Sequence, residues 1–148
     1  MRTLRTVERA VARHQDWGVT ILRMVVGVVF LAHGGQKLFV FGISGFAGFL
    51  AKVGIPAPLL AALLVSLVEF GGGLALFFGL FTRWAALPLA VNMLVAILTV
   101  HLAGGFFLPG GVEFALTLFA ANLALLFLGG GPASLDRLFC PSGEGENR

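Results

Sequence analysis

Residues 59–78 read LLAALLVSLVEFGGGLALFF, a run whose only ionisable group is Glu69 and whose only hydroxyl is Ser66. About 20 apolar residues wound as an α-helix cross the ~30 Å hydrocarbon core of a bilayer, so this run is a transmembrane helix. Three windows of similar character surround it, roughly Val19 to Leu38, Trp84 to Ala103 and Val112 to Leu128. The expected fold class is therefore all-α: an integral membrane bundle of four helices. Between the first two spans, Phe39 to Ile55 is too short to cross. Phe41, Phe46, Phe49 and Leu50 sit there among glycines and Lys52, with the spacing of a brief interfacial or re-entrant helix. Gly54-Ile55-Pro56-Ala57-Pro58 closes it and starts the second span. The other connections, around Thr82-Arg83 and Pro109-Gly110-Gly111, are short, which makes consecutive spans antiparallel neighbours.

Composition agrees. Of 148 residues, 58% are hydrophobic and 11% charged, against about 25% charged in soluble domains. The net charge of +3 comes from a basic arm, residues 1–18, with Arg2, Arg5, Arg9 and Arg13, plus Arg83, Arg137 and Arg148; only Lys37 and Lys52 fall on the other side of the membrane. The positive-inside rule then puts both termini in the cytoplasm and accounts for the basic residues without nucleic acid as a partner. A basic start before an apolar run also resembles a signal peptide, but the run is long and Gln36 and Lys37 follow where small residues would mark cleavage, so it is expected to remain as the first span. The tail, residues 129–148, is rich in Gly, Pro and Ser and is expected to lose order near its end. Its Cys140 is the single cysteine, which excludes a disulfide or CxxC pair within the chain.

Ionisable groups at membrane depth cost about 2.5–3.5 kcal/mol each on the insertion scale, so each calls for a partner or a role. Glu69 stands near the centre of the second span. Arg23, near the start of the first span, is expected to extend toward it and form an intramembrane pair. Arg23, Gly27, Gly34 and Lys37 make a stripe whose glycines would let another helix approach closely. His33, Gln36 and Lys37 share one side of the first helix near the outer surface, with His101 and Glu113 at the outer ends of the third and fourth. Glu113 also suits a helix N-terminus. Asn92 precedes His101 by nine residues, which puts the two on opposite faces of an ideal helix, and Asn92 and Asn122 read as helix-to-helix hydrogen-bonding residues.

His33, Gln36, Lys37, Glu69, His101 and Glu113 are thus the candidate site. Two imidazoles, an ammonium and carboxylates around an apolar cavity suit a quinone headgroup, whose carbonyls need donors and whose reduction needs protons. His33 and His101 as axial ligands of a haem are a weaker alternative. A metal centre finds no support in paired-histidine spacing. No residue is singled out as catalytic. A membrane anchor or assembly subunit without chemistry of its own is the competing function, and transport is disfavoured by the small number of spans.

The ordered series Phe30-Leu31-Ala32-His33-Gly34-Gly35-Gln36-Lys37-Leu38-Phe39, Gly54-Ile55-Pro56-Ala57-Pro58, Glu69-Phe70-Gly71-Gly72, Gly79-Leu80-Phe81-Thr82-Arg83, Thr99-Val100-His101, Gly105-Phe106-Phe107 and Ser134-Leu135-Asp136-Arg137 resembles the DoxX family of small bacterial and archaeal membrane proteins. The resemblance covers roughly residues 17–138. It implies a four-helix bundle in the cytoplasmic membrane and a place in quinone-coupled sulfur chemistry or in complexes managing oxidative and thiol stress. Partners would be other redox subunits or further copies of the chain. His33, Gln36, Lys37, Glu69, Arg83, His101 and Glu113 are the positions it marks for testing.

Overall fold

The first apolar run forms α1, Gln15–Gly35, which passes without a break into a π-helical turn, Gln36–Val40. The two together hold 26 residues, about 39 Å of helix at 1.5 Å per residue, so α1 must tilt or protrude from a ~30 Å core. The computed structural model describes Ala12 and residues 14–139; the arginines of the basic arm, Cys140 and the end of the tail lie outside the described residues. Gly42, at φ 69°, takes the left-handed turn that lets the chain reverse into α2, Gly42–Lys52. This is the short helix expected between the first two spans. Its Ala47 and Leu50 bury against Ala62, with Phe46 and Ile55 packed alongside.

Pro58 fixes the first turn of α3, Pro58–Phe78. Gly79 ends it at φ 70°, where the Gly79 N–H reaches the Leu76 carbonyl and the Leu80 N–H that of Ala75. Next, α4, Thr82–Ala96, continues into a second π turn, Ile97–His101, and a 3-10 turn, Leu102–Gly104. The last span, α5, is Glu113–Leu128. Among the described residues three helices are long and apolar enough to cross a membrane, α1, α3 and α4 with their extensions; α5 is apolar but shorter, its 16 residues reaching about 24 Å. No described residue is in a strand.

Packing runs α1–α3–α4–α5, and a lighter contact of α1 with α5 closes the ring. The centre is filled by Val26, Phe30, Leu76, Leu89, Leu118 and Leu125. Outside, Ile21, Val25, Leu60, Leu67, Val91 and Leu98 are all exposed, the apolar exterior that only lipid solvates without cost. The predicted glycine stripe sets the closest helix crossing. A Cβ on Gly27 would stand 2.7 Å from the Phe77 backbone N, one on Gly34 2.5 Å from the Phe70 N, and one on Gly73 2.6 Å from the Leu31 N. Glycine is required at these points because backbone meets backbone.

The beginning of the tail is tied to the bundle. The N–H groups of Leu135 and Asp136 donate to the Phe78 and Gly79 carbonyls. The Asp136 carboxylate accepts from the Phe81 N–H at 2.5 Å and the Thr82 N–H at 3.0 Å, capping the N-terminus of α4. A short α6, Asp136–Phe139, follows.

Candidate functional site: a polar-ended cavity in the bundle

Glu69 is 3% exposed, and both of its carboxylate oxygens are engaged. One forms an ion pair with Lys37 Nζ, and the other accepts a hydrogen bond from Asn92 Nδ2 at 2.8 Å. The pairing follows from helix direction. Side chains on an α-helix lean toward its N-terminus. Glu69 on α3 therefore leans toward the Pro58 end, and Lys37 on antiparallel α1 leans back from that end toward the middle. Gly34 packs on the Glu69–Phe70 backbone, so Lys37, about one turn beyond Gly34, meets the carboxylate. The π turn carries Lys37, whose ammonium also stands 5.3 Å from the centre of the Phe46 ring on α2.

The same geometry rules out the expected Arg23–Glu69 pair. Glu69 is level with Gly34, eleven residues or about 16 Å along α1 from Arg23, and the Arg23 side chain leans the other way. It is 1% exposed and clamps the far end of the bundle. Its Nη1 donates to the Leu76 carbonyl and, at 2.6 Å, to that of Phe77; Nε reaches Gly130 O at 2.9 Å and Nη2 reaches Ala133 O at 3.0 Å. A cation there serves the Phe77 carbonyl, adds a second donor to the Leu76 carbonyl that already accepts from the Gly79 N–H, and straps the tail down. Arg83 acts at the same end, donating to Leu126 O at 3.1 Å.

A cavity of about 390 Å³ extends from the Glu69 centre toward the α4–α5 loop, lined by His33, Lys37, Glu69, Asn92 and His101 among apolar groups such as Phe30, Phe46, Met93 and Leu118. Four of the six candidate residues therefore share it. His33 also lines a shallow outer cleft with Ala32, Gln36 and Val40, which is where Gln36 lies, and its ring sits 5.8 Å from that of Phe114. Glu113 faces the loop instead: its Oε1 accepts from the Leu108 N–H at 2.6 Å, a tie at the start of α5 consistent with its helix-terminal reading. His101 Nδ1 lies 3.3 Å from the Gly110 carbonyl; the tautomer with the proton on Nδ1 donates to it and leaves Nε2 as an acceptor.

Two expectations about asparagines change. Asn92 and His101 both line the cavity, although an ideal helix would put them on opposite faces. The π turn at Ile97–His101 takes up extra residue length between them and shifts the phase. Asn92 does bond across helices, but to the Glu69 carboxylate, so it belongs to the site. Asn122 bonds within α5, to Leu118 O at 2.8 Å, and its Oδ1 has no hydrogen-bond partner among the described residues. Among those residues no three His, Cys, Asp or Glu side chains gather as a metal-ligand set.

Comparison with known proteins places this site in a family. The chain is 36% identical over 131 residues to a Haemophilus influenzae protein named "Uncharacterized protein", covering 86% of this chain and 94% of that one. It is 36% identical over 131 residues to Escherichia coli "Inner membrane protein YqjF", covering 84% and 93%. It is 32% identical over 119 residues to Bacillus subtilis "Putative oxidoreductase CatD", covering 80% and 84%. No solved structure matches the chain. Residues 18–102, which hold all but the first three residues of α1, the whole of α2 to α4 and every polar residue of the cavity, match DoxX, and the chain is a member of the DoxX family.

Proposed function

We propose that this protein is a quinone-linked subunit of a membrane redox complex in sulfur, thiol or oxidative-stress metabolism, and that the cavity receives the quinone headgroup. The observation that carries this is the distribution of polarity. The walls are apolar, with Lys37, Glu69 and Asn92 at one end and His101 at the other. A planar ring with carbonyl acceptors on opposite edges matches that arrangement: hydrophobic contact holds the ring, and a few donors fix its orientation.

Reduction of a quinone takes two electrons and two protons. Electrons would come from a redox centre on a partner subunit. The protons would come from the Lys37 ammonium at one end and, at the other, from His101 as an imidazolium, which keeps Nδ1–H on the Gly110 carbonyl, delivers the Nε2 proton and is left neutral. Glu69 and Asn92 act as positioning residues that hold the ammonium in place. One relative carries an oxidoreductase name, and another an inner-membrane name. Positive charge on the side of the termini favours a cytoplasmic location for both, which would place the cavity in the outer half of the membrane.

The test is saturable binding of a ubiquinone or menaquinone analogue to the purified protein. His101→Ala or His33→Ala should weaken it about tenfold, the equivalent of losing one good hydrogen bond at ~1.4 kcal/mol. Gln36→Ala, in the outer cleft, should leave it unchanged. Unaltered affinity in both histidine variants would remove the site. A visible haem band that shifts on reduction would replace it with the haem alternative.

A further inference from the structure

The α2–α4 edge of the cavity is an open seam. α2 packs on α3 and on the last turn of α1, without comparable packing on α4. Three cavity residues at the gap, Phe49 on α2, Val95 on α4 and Thr99 in the π turn that follows it, are exposed, Phe49 at 44% and Val95 at 45%. On the α1–α5 side the cavity residues His33 and Phe114 are exposed as well, Phe114 at 40%, but their rings, with centroids 5.8 Å apart, stand across the gap between the two helices.

The depth of the seam decides what it opens to. α4 with its extensions runs Thr82–Gly104, so Val95 is two residues, about 3 Å, from its midpoint at residue 93. The hydrocarbon core extends ~15 Å to either side of a membrane's midplane. The opening therefore faces acyl chains. Leu98, in the π turn that extends α4, is exposed and apolar as lipid contact requires. A volume of about 390 Å³ is at the small end for a drug-sized ligand, so a headgroup fills it and a long chain attached to that headgroup has to leave.

We infer that the Phe49–Val95–Thr99 seam is a lateral portal, through which a single-tailed lipid-soluble amphiphile enters from the bilayer, its head at Lys37, Glu69 and Asn92 and its tail left in the lipid. This rests on the headgroup reading of the cavity and adds the route and the ligand class. The ligand is membrane-partitioned, and its tail contributes to affinity at the seam.

The experiment uses the full chain in lipid nanodiscs with two probes, decylubiquinone and the same dimethoxy-methyl-benzoquinone ring without a tail, with bound ligand referred to its concentration in the membrane. Val95→Trp should plug the seam and weaken decylubiquinone at least tenfold relative to the tail-less ring. Leu98→Trp, on the lipid face beside the seam, should change neither. A quinone bearing a diazirine on its tail gives a readout independent of any variant, with crosslinks expected on Phe49, Val95 or Thr99. Equal effects of Val95→Trp on the two probes, no effect on either, or crosslinks on the Ala32–Phe114 side would overturn the portal while leaving the headgroup site standing. Failure of both probes to bind the unaltered protein would overturn the headgroup reading, and the portal with it.

Discussion

Lys37→Met leaves the Glu69 carboxylate buried with only Asn92 to stabilise it. Breaking one side of a buried ion pair costs about 3–5 kcal/mol, because the remaining charge has lost its counter-ion and cannot reach water. Glu69 is 3% exposed, which favours the full penalty. The retained hydrogen bond from Asn92 at 2.8 Å favours the lower end, about 3 kcal/mol. Glu69→Gln removes the charge but keeps an acceptor for Asn92, stranding the ammonium instead. Lys37 is the more exposed partner, its side chain at 17%, and its long stem can carry the charge toward the membrane surface, so this single change should cost less, about 1–2 kcal/mol. The double variant leaves no unpaired charge and should recover most of the loss, with a coupling of roughly 2 kcal/mol or more. Reversible unfolding in mixed micelles, followed by circular dichroism across a denaturant series, measures all four corners of the cycle. Arg23→Met supplies the control. It lies about 16 Å along α1 from the level of Glu69, so its cost should add to that of Glu69→Gln within ~0.5 kcal/mol. Additive Lys37 and Glu69 variants, or strong coupling between Arg23 and Glu69, would refute the assignment of partners.

Two further outcomes follow from the packing and the charge distribution. Gly34→Ala places a Cβ 2.5 Å from the Phe70 backbone N, about 1 Å inside ordinary contact; the α1–α3 crossing must open, with a loss of about 1–3 kcal/mol, whereas Gly48→Ala, with open space around it, should be neutral or slightly stabilising in the same unfolding assay. Cys140, the single thiol, should react with a membrane-impermeant maleimide in inverted vesicles and stay unlabelled in intact cells, and the reverse pattern would contradict cytoplasmic termini.

The helices and their order were legible because apolar length is a strong signal, and in a bilayer few other structures are allowed. The stripe of Arg23, Gly27, Gly34 and Lys37 was legible for the same reason: small residues at helical spacing mark where backbones meet. Less of the site could be read. The π turns at Gln36–Val40 and Ile97–His101 leave no obvious pattern in the sequence, yet they adjust the faces that bring Lys37 and His101 to the cavity. The strap over the bundle end was equally hidden. Gly130 and Ala133 contribute backbone carbonyls to Arg23, and a carbonyl is not a residue type that composition can reveal.

Register explains why the right cation was within view and the wrong one was paired. Aligning helix midpoints makes Arg23 and Lys37 comparable partners for Glu69. The glycine contacts set a different alignment, with Gly27 beside Gly73 and Phe77, and Gly34 beside Phe70. In an antiparallel pair the two side chains lean toward each other only when each lies on the C-terminal side of the other's level. Lys37 meets that condition with Glu69, while Arg23 leans away from it toward the last carbonyls of α3. A single sliding constraint between α1 and α3 therefore assigns both basic residues. It makes Arg23 the fastener at the end where α1 begins and residues 130–133 fold back, and leaves Lys37 and Glu69 as the charged head of the cavity.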